Sequence, residues 1–320
     1  MADAIRFAAI GECMVELSHE GADLLRLRHG GDTLNTATYL ARIGQNVAVS
    51  YITALGDDPY SDAMVAAWRA EGIATDLVAR LPGRLPGLYV IRTDNGERNF
   101  TYWRSAAAAR DLFRNDDTPR IVEALHGFDW LYLSGITLSI LDGDSRHALM
   151  TALDEARDKG ARVAFDGNYR PRGWRDATDA REAMAACLAR VDLALPTLDD
   201  ERLLYEGETA DQCADRHHAL GVREVAIKDG LNDCLVSSPG GRAHVPAHAG
   251  VTPVDTSAAG DSFNAGYLAG RFAGLAPEAA AALGHRLAAA VIQHPGAIIP
   301  KDAMPALDVA GWALTAFRGT

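Results

Sequence analysis

The sequence alternates between apolar runs typical of β-strands and segments with helical periodicity, and this alternation constrains the fold most strongly. The predicted strands are Ile5–Ile10, Val47–Leu55, Phe128–Ser134, Arg162–Phe165, Val191–Leu195 and Val222–Ile227. The predicted helices include Thr33–Ile43, Pro59–Glu71, Ser145–Lys159, Ala180–Ala189 and Pro277–Gln293. Strands that alternate with helices form parallel sheets covered by helices on both faces. We therefore predict one α/β domain over residues 1–320.

Two segments interrupt this alternation and predict a second, smaller sheet. Glu12–Arg28 is extended and of mixed polarity, and Gly87–Arg104 reads as a hairpin around an Asn95-Gly96 turn. Antiparallel pieces of this kind do not belong in the middle of a parallel sheet. We expect them to form a β-sheet lid beside the main sheet, built from segments at about 12–30 and 87–106.

The charge and the cysteines narrow the classes of function. The formal net charge is −12 and no basic cluster stands out, which argues against nucleic-acid binding and against a membrane-surface role. The first residues lack the basic and apolar regions of a signal peptide. The four cysteines include no CxxC pair, so we expect reduced thiols and a cytoplasmic protein.

Several common catalytic motifs are missing. The chain has three lysines, Lys159, Lys228 and Lys301, and none follows glycine as a P-loop requires. No GxGxxG follows the first strand, so a nicotinamide-binding domain has little support. His244 and His248 have helical spacing, but Pro246 lies between them and the stretch reads as a strand, so we do not expect a metal site there.

The stretch Val254–Tyr267, VDTSAAGDSFNAGY, is the segment best suited to chemistry. Small residues precede a helix that is predicted to begin near Asp261, so the backbone can approach a ligand closely. Unpaired N–H groups and the helix dipole at such a start favour a phosphate. Asp261 would then accept the proton of a hydroxyl that attacks the γ-phosphate of ATP. The alternative interpretation is an ordinary helix with an acidic first turn.

This stretch resembles the C-terminal signature of the ribokinase-like, or PfkB, carbohydrate kinases, D-T-x-x-A-G-D-x-F. The N-terminal signature is also present as Gly30-Gly31-Asp32-Thr33-Leu34-Asn35, followed by Leu55-Gly56-Asp57-Asp58 after the next strand. The resemblance implies a Rossmann-like (ribokinase-like) fold with a β-sheet lid, ATP and a divalent cation, Mg²⁺. It also implies Asp261 as the base, an anion hole at Ala258, Ala259 and Gly260, and sugar contacts from Gly31 and Asn35.

The resemblance also implies residues on the nucleotide side of the site. Thr197, Lys228 and Gly230 match positions near the adenosine. The NxxE motif of the family appears here as Thr197-Leu198-Asp199-Asp200, so Asp200 is the expected metal residue, acting through water. Some relatives bind a monovalent cation near the aspartate that corresponds to Asp255.

Within the family, four stretches resemble the members that phosphorylate 2-keto-3-deoxygluconate: GGDTLNTATYLARIG, FTYWRSAAAAR, DGNYRPRGW and QHPGAIIP. That substrate is an acid sugar with a carboxylate at C1. Guanidinium groups bind carboxylates through paired hydrogen bonds, which suits Arg104 and Arg170. The resemblance further implies substrate contacts from Tyr89, Tyr102 and Asn168.

Two other functions remain open at this stage. One is a fructokinase or another kinase of a neutral sugar, which would not need both arginines. The other is a non-catalytic sugar sensor on the same fold, because fold alone does not establish activity. A homo-oligomer that forms through the lid is a further expectation.

Overall fold

The computed structural model describes residues 4–307, except residue 22 and residues 95–96. The turn predicted at Asn95-Gly96 therefore lies outside the described residues. The strands are β1 Ile5–Ile10, β2 Met14–His19, β3 Leu25–Gly30, β4 Val47–Leu55, β5 Val78–Arg80, β6 Leu88–Asp94, β7 Glu97–Trp103, β8 Trp130–Ser134, β9 Arg162–Asp166, β10 Leu193–Ala194, β11 Glu224–Ile227, β12 Cys234–Ser238 and β13 Gly241–Val245.

The helices lie mostly between the strands in sequence, as the alternation predicted. They are α1 Asp32–Ile43, α2 Pro59–Ala70, α3 Thr118–Leu125, α4 Gly135–Ile140, α5 Gly143–Asp158, α6 Ala177–Leu188, α7 Leu198–Leu204, α8 Ala210–Ala219, α9 Ala259–Phe272 and α10 Pro277–Val291. Short 3₁₀ helices occur at Ala108–Asp111, Pro171–Gly173 and Lys301–Ala303. No helix in the described part of the chain has both the length and the apolar character needed to cross a membrane.

The main sheet contains nine of the described strands in the order β13-β12-β11-β10-β9-β8-β1-β4-β5. The seven strands from β11 to β5 pair in parallel, and only the β11–β12 and β12–β13 pairs are antiparallel. Apolar cores lie on both faces of this sheet, which explains why the parallel strands are almost continuously hydrophobic. The predicted α/β fold is confirmed.

The second sheet has four strands in the order β3-β2-β6-β7. The β2–β3 and β6–β7 pairs are antiparallel, and β2 and β6 pair in parallel. The sheet is attached to the main domain at two points that matter for function, because β2 follows β1 after three residues and β3 runs directly into α1. Side chains that leave this sheet near α1 therefore lie close to the carboxyl end of β1.

Two helix starts differ from the sequence prediction for local reasons. Helix α6 begins at Ala177, before the predicted Ala180, because the Asp176 carboxylate accepts a hydrogen bond from the Asp179 amide at 2.8 Å. Helix α9 begins at Ala259, two residues before Asp261, so Asp261 lies in its first turn. The strand predicted at Val191–Leu195 is reduced to two residues, Leu193–Ala194.

Helix α9 is held against α10 by a contact between two glycines. A Cβ atom on Gly266 would lie 2.7 Å from the Cα of Gly284, and one on Gly284 would lie 2.8 Å from the Phe263 carbonyl oxygen. Larger side chains would push the helices apart, because a close-packed interface has no room for extra methyl groups. This packing fixes the position of α9, and hence of Asp261, relative to the sheet.

Candidate active site

The start of α9 is shaped by a residue in an unusual backbone conformation. Ala258, which precedes the helix, has φ 57° and ψ 19°, in the left-handed region that costs roughly 1–2 kcal/mol for a residue with a Cβ. The Ala259 amide donates to the Thr256 carbonyl at 3.2 Å, which closes the turn. The following amides, of Gly260 and Asp261, have no acceptor one turn earlier within the helix. The anion hole predicted at Ala258, Ala259 and Gly260 lies at this turn and remains a prediction.

Asp255 fixes the loop that leads into this turn. Its buried carboxylate accepts hydrogen bonds from the Ser257 amide at 2.8 Å and from the Gly296 amide at 2.6 Å. The second bond ties the loop to a segment that follows α10. The monovalent cation expected near Asp255 remains a prediction.

Asp261 meets the first turn of α1, which follows directly from the small sheet. The Asn35 amide donates to the Asp261 carboxylate at 2.8 Å, and the Thr36 hydroxyl donates to the Asp261 carbonyl at 3.2 Å. The starts of α1 and α9 therefore face each other. Residues that are 226 positions apart in sequence form one half-buried polar centre.

A buried network lies beneath this centre and contains the one lysine near it. Lys228 donates to Asp166 at 3.0 Å and to the side-chain oxygen of Asn264 at 2.8 Å. The Asn264 amide in turn donates to Asp166 at 2.6 Å and to the Tyr132 hydroxyl at 3.0 Å. Lys228 was predicted on the nucleotide side, and its ammonium group is directed to these buried partners.

The surroundings of Asp261 raise the pKa of its carboxyl to about 8. Burial contributes most, and the neighbouring negative charge of Asp32 comes next. The hydrogen bond from Asn35 lowers the pKa, Asp166 raises it and Lys228 lowers it. A carboxyl with a pKa in this range is a stronger base than an ordinary aspartate once it loses its proton.

A cleft of about 280 Å³ opens beside the start of α9. Thr197, Lys228, Gly230 and Gly260, all predicted to bind the nucleotide, line it, whereas Ala258 does not. The remaining walls are largely apolar and include Phe263, Ala288, Ala289 and Ile292. Apolar walls suit a flat aromatic base, and the adjoining helix start suits phosphates, so the cleft fits ATP.

The small sheet contributes the other side of the centre. Tyr89 is buried, and its hydroxyl donates a hydrogen bond to the Glu16 carboxylate. Tyr102 is 46% exposed, and the centres of the two tyrosine rings are 5.8 Å apart. Arg104, just after β7, forms an ion pair with the buried Glu12. Among the described residues, three buried polar atoms of this region lack a hydrogen-bond partner: Asn35 Oδ1, Glu12 Oε1 and Arg104 Nε. Such atoms suit a polar ligand, because leaving them unpaired costs free energy.

Gly31 lies where the backbone of the small sheet and α1 come closest to the residues after β1. Its φ of −175° is ordinary extended backbone. A Cβ atom on Gly31 would overlap the carbonyl oxygen of Glu12. Glycine is therefore required here by close approach and not by backbone conformation.

Asn168 and Arg170 follow β9 and have different partners. Asn168 adopts φ 32° and donates its side-chain amide to Asp32 at 2.7 Å. Arg170 donates to both oxygens of Asp200, at 2.9 and 3.0 Å. Asp200, the carboxylate expected to help bind the metal, is thus paired with an arginine. Burial raises the pKa of Asp200.

The described residues contain one group of three side chains with metal-ligand geometry, Glu201, Cys213 and His217. The group is buried, and Arg216 donates a hydrogen bond to Glu201 at 2.5 Å. The guanidinium group of Arg216 therefore already supplies positive charge next to the Glu201 carboxylate. The nucleotide side therefore has no pre-formed carboxylate cage among the described residues. Mg²⁺ bound together with ATP would be held mainly by the phosphates and by water.

Comparison with known proteins places this site in a family. The profile of pfkB family carbohydrate kinases matches residues 5–304. A 2-dehydro-3-deoxygluconokinase from Dickeya dadantii is 50% identical over 306 residues, covering 93% of this chain and 98% of the relative. The 2-dehydro-3-deoxygluconokinase of Escherichia coli K12 is 48% identical and covers 94% of this chain and 99% of the relative.

The chain belongs to the PfkB family of carbohydrate kinases. A fructokinase from Klebsiella pneumoniae is less similar, at 30% identity over 93% of this chain and 94% of the relative. Among solved structures, a protein described as ribokinase II from E. coli, in complex with ATP and Mg²⁺, matches with a TM-score of 0.81 at 21% identity. It covers 98% of this chain and 99% of that chain, and this likeness shows the fold.

Four residues of the kinase site were not predicted from the sequence: Glu12, Asp32, Asp166 and Asn264. Asp32 lies within the GGDTLN signature and Asp166 opens the DGNYRPRGW stretch, so both stood inside motifs without an assigned role. The signal that could have identified Asp32 and Asp166 was their position at the ends of a predicted helix and a predicted strand. Their partners come from distant parts of the chain, which a single sequence does not reveal.

The pKa of Asp261 leads to a testable pH dependence of the kinase. Below about pH 8 the carboxyl is increasingly protonated and does not accept a proton, so kcat/KM should rise with pH through a midpoint near 8. Asp32→Asn removes a negative charge next to Asp261, lowers its pKa and should move the midpoint to lower pH. Initial rates measured from pH 5 to 10 would test this.

Asp158→Asn is the matched control, because Asp158 is exposed at the end of α5. This variant should retain the wild-type midpoint. A wild-type midpoint near pH 4, or a midpoint that Asp32→Asn leaves in place, would contradict the assignment of the raised pKa to Asp261.

Proposed function

We propose that this kinase transfers the γ-phosphate of ATP to the C6 hydroxyl of 2-keto-3-deoxygluconate, also called 2-dehydro-3-deoxygluconate. The products are 2-keto-3-deoxy-6-phosphogluconate and ADP. The observation that carries the proposal is the position of Asp261, in the first turn of α9 and hydrogen-bonded to Asn35, in a chain 50% identical to a 2-dehydro-3-deoxygluconokinase.

Asp261 acts as the general base in the proposed mechanism. Its carboxylate takes the proton of the C6 hydroxyl as the oxygen attacks the γ-phosphorus, and the bond between the γ-phosphorus and the β,γ-bridging oxygen breaks. The amides of Gly260 and Asp261 stabilise the negative charge on the transferred group, together with the dipole of α9. Asn35 holds the carboxylate in place through its amide.

The acid sugar lies between the small sheet and the first turn of α1. Arg104 and Arg170 contact the C1 carboxylate, and Tyr89 and Tyr102 contact the body of the sugar from the small sheet. Gly31, Asn35 and Asn168 complete the set of substrate contacts. The unpaired oxygen of Asn35 and the unpaired Nε of Arg104 support this placement, since both need a polar partner.

ATP occupies the cleft beside α9, with Thr197 and Gly230 near the adenosine and the phosphates at Ala258, Ala259 and Gly260. Bound Mg²⁺ would neutralise phosphate charge, with Asp200 as its nearby carboxylate. We further infer that the kinase works in the cytoplasm, where its four buried cysteines, all free thiols, would stay reduced.

Replacement of the base tests whether the chain is an enzyme or a sugar sensor. Asp261→Asn removes the proton acceptor but keeps the shape of the side chain, so the variant should fold and lose roughly 10²–10⁴-fold in kcat. Steady-state kinetics and thermal melting measured on the same preparation would show both effects. Turnover close to that of the wild type would refute the role of Asp261.

The substrate is tested by ADP release with Mg-ATP against 2-keto-3-deoxygluconate, fructose and ribose in parallel. We expect strong turnover with the keto acid alone, because a neutral sugar has no carboxylate for the arginines. Arg170→Gln should raise KM for the keto acid by roughly 10–100-fold, since a charged hydrogen bond contributes about 1.5–3 kcal/mol.

The alternatives give different results in the same assay. Turnover of fructose or ribose in place of the keto acid would identify a neutral-sugar kinase. An unchanged KM in Arg170→Gln would remove Arg170 from the carboxylate site while leaving the substrate assignment intact.

We also propose that the kinase forms a homodimer through the small sheet. Leu25, Leu27 and Trp103 lie on one face of this sheet and are 42%, 54% and 57% exposed. Large exposed apolar side chains on one face favour association. Sedimentation analysis should give a dimer for the wild type and a monomer for Leu27→Arg, whereas Leu203→Arg, at an exposed site on α7, should stay dimeric. A monomeric wild type would disprove the dimer.

A further inference from the structure

The two arginines predicted to bind the substrate carboxylate are each already paired with an acidic side chain. Arg104 forms an ion pair with Glu12, whose side chain is 1% exposed, and Arg170 forms one with Asp200. An ion pair has almost no net charge. An incoming carboxylate therefore gains less from either arginine than it would from an unpaired guanidinium group.

A second cavity next to Arg104 contains two more arginines. It has a volume of about 720 Å³ and is lined by residues of the small sheet, of α4 and of the segments after β7 and β9, among them Tyr102, Arg104, Ser105, Arg110, Ser139 and Arg172. Arg110 is half-buried in the 3₁₀ helix Ala108–Asp111, and Arg172 is exposed in the 3₁₀ helix Pro171–Gly173. Neither forms an ion pair with any described acidic residue.

The charges of Arg110 and Arg172 act on residues next to the predicted substrate contacts. Burial raises the pKa of Tyr102, while the positive charges of Arg104, Arg170 and Arg172 act in the opposite direction. The charge of Arg110 acts on Glu12 in the same way as that of Arg104. Arg110 and Arg172 therefore lie close enough to the Arg104 region to influence an anion bound there.

We propose that Arg110 and Arg172 supply the net positive charge that selects an acidic substrate over a neutral sugar. Arg104, held in place by Glu12, then aligns the carboxylate, and the two uncommitted guanidinium groups neutralise it. The ligand class is a sugar acid with a terminal carboxylate. This inference rests on the proposed function, because it assigns further residues to the same substrate site.

The test measures KM and kcat for 2-keto-3-deoxygluconate at saturating Mg-ATP in Arg110→Gln, Arg172→Gln and the double variant. Each single change should raise KM for the keto acid by about 10-fold and the double change by about 100-fold, with kcat and KM for ATP within about 2-fold of the wild type. Arg172→Lys keeps the charge and should recover part of the lost affinity. This pattern is specific to charge, because a merely structural role would also alter kcat or KM for ATP.

Arg175→Gln is the matched control. Arg175 lies three residues after Arg172, its side chain is 75% exposed, and it pairs with Asp176, so its loss should leave every kinetic constant unchanged. Thermal melting of each variant checks that it is folded.

The outcomes separate the inference from the function on which it rests. If the wild type turns over the keto acid and neither glutamine variant changes its KM, the inference is overturned and the proposed function stands. If KM for the keto acid and KM for ATP rise together, the arginines have a structural role and the inference is again overturned. If the wild type does not use the keto acid, the proposed function fails and the inference fails with it.

Discussion

The site depends on one buried cation. Lys228 donates to Asp166 and to Asn264, and its positive charge also acts on Asp261. The carboxylates of Asp32 and Asp166 lie near that of Asp261, and their negative charges raise the pKa of Asp261. One ammonium group and three asparagine amides, those of Asn35, Asn168 and Asn264, donate hydrogen bonds to these carboxylates and stabilise them in an otherwise apolar fold. Asp261 therefore combines a raised pKa with a position close to the start of a helix that favours phosphate.

The fold brings these groups together because parallel strands end at the same edge of a sheet. Strand β9 ends at Asp166, and Lys228 directly follows β11, which lies two strands away in the sheet. Glu12 comes from the connection between β1 and β2, and Arg104 directly follows β7 of the small sheet. Asp166, Lys228 and Asp261 thus lie at or next to the ends of regular elements of the main domain, and short segments join the small sheet to that domain.

The sequence predicted the fold and the family well because both depend on local signals. Strand and helix periodicities span a few residues each, and the motif around Asp261 is continuous, so neither requires knowledge of long-range contacts. The pairings were not predictable in this way, since Glu12 and Arg104 are 92 positions apart and Arg170 and Asp200 are 30 apart. Arg104 and Arg170 were predicted to bind the substrate carboxylate, but the sequence did not reveal that each has an acidic partner. Each partner cancels most of the positive charge of its arginine.

This charge balance explains how a chain with a formal net charge of −12 can have a site for two anionic ligands. At the proposed nucleotide site, the positive end of α9 and its first amides supply partial positive charge without any basic side chain. Two of the arginines proposed to bind the sugar acid, Arg104 and Arg170, are paired with carboxylates. Those pairs fix geometry more than they attract, because the opposite charges of an ion pair largely cancel. In the proposed arrangement, attraction comes from the guanidinium groups that have no acidic partner among the described residues, so alignment and charge selection are divided between different arginines.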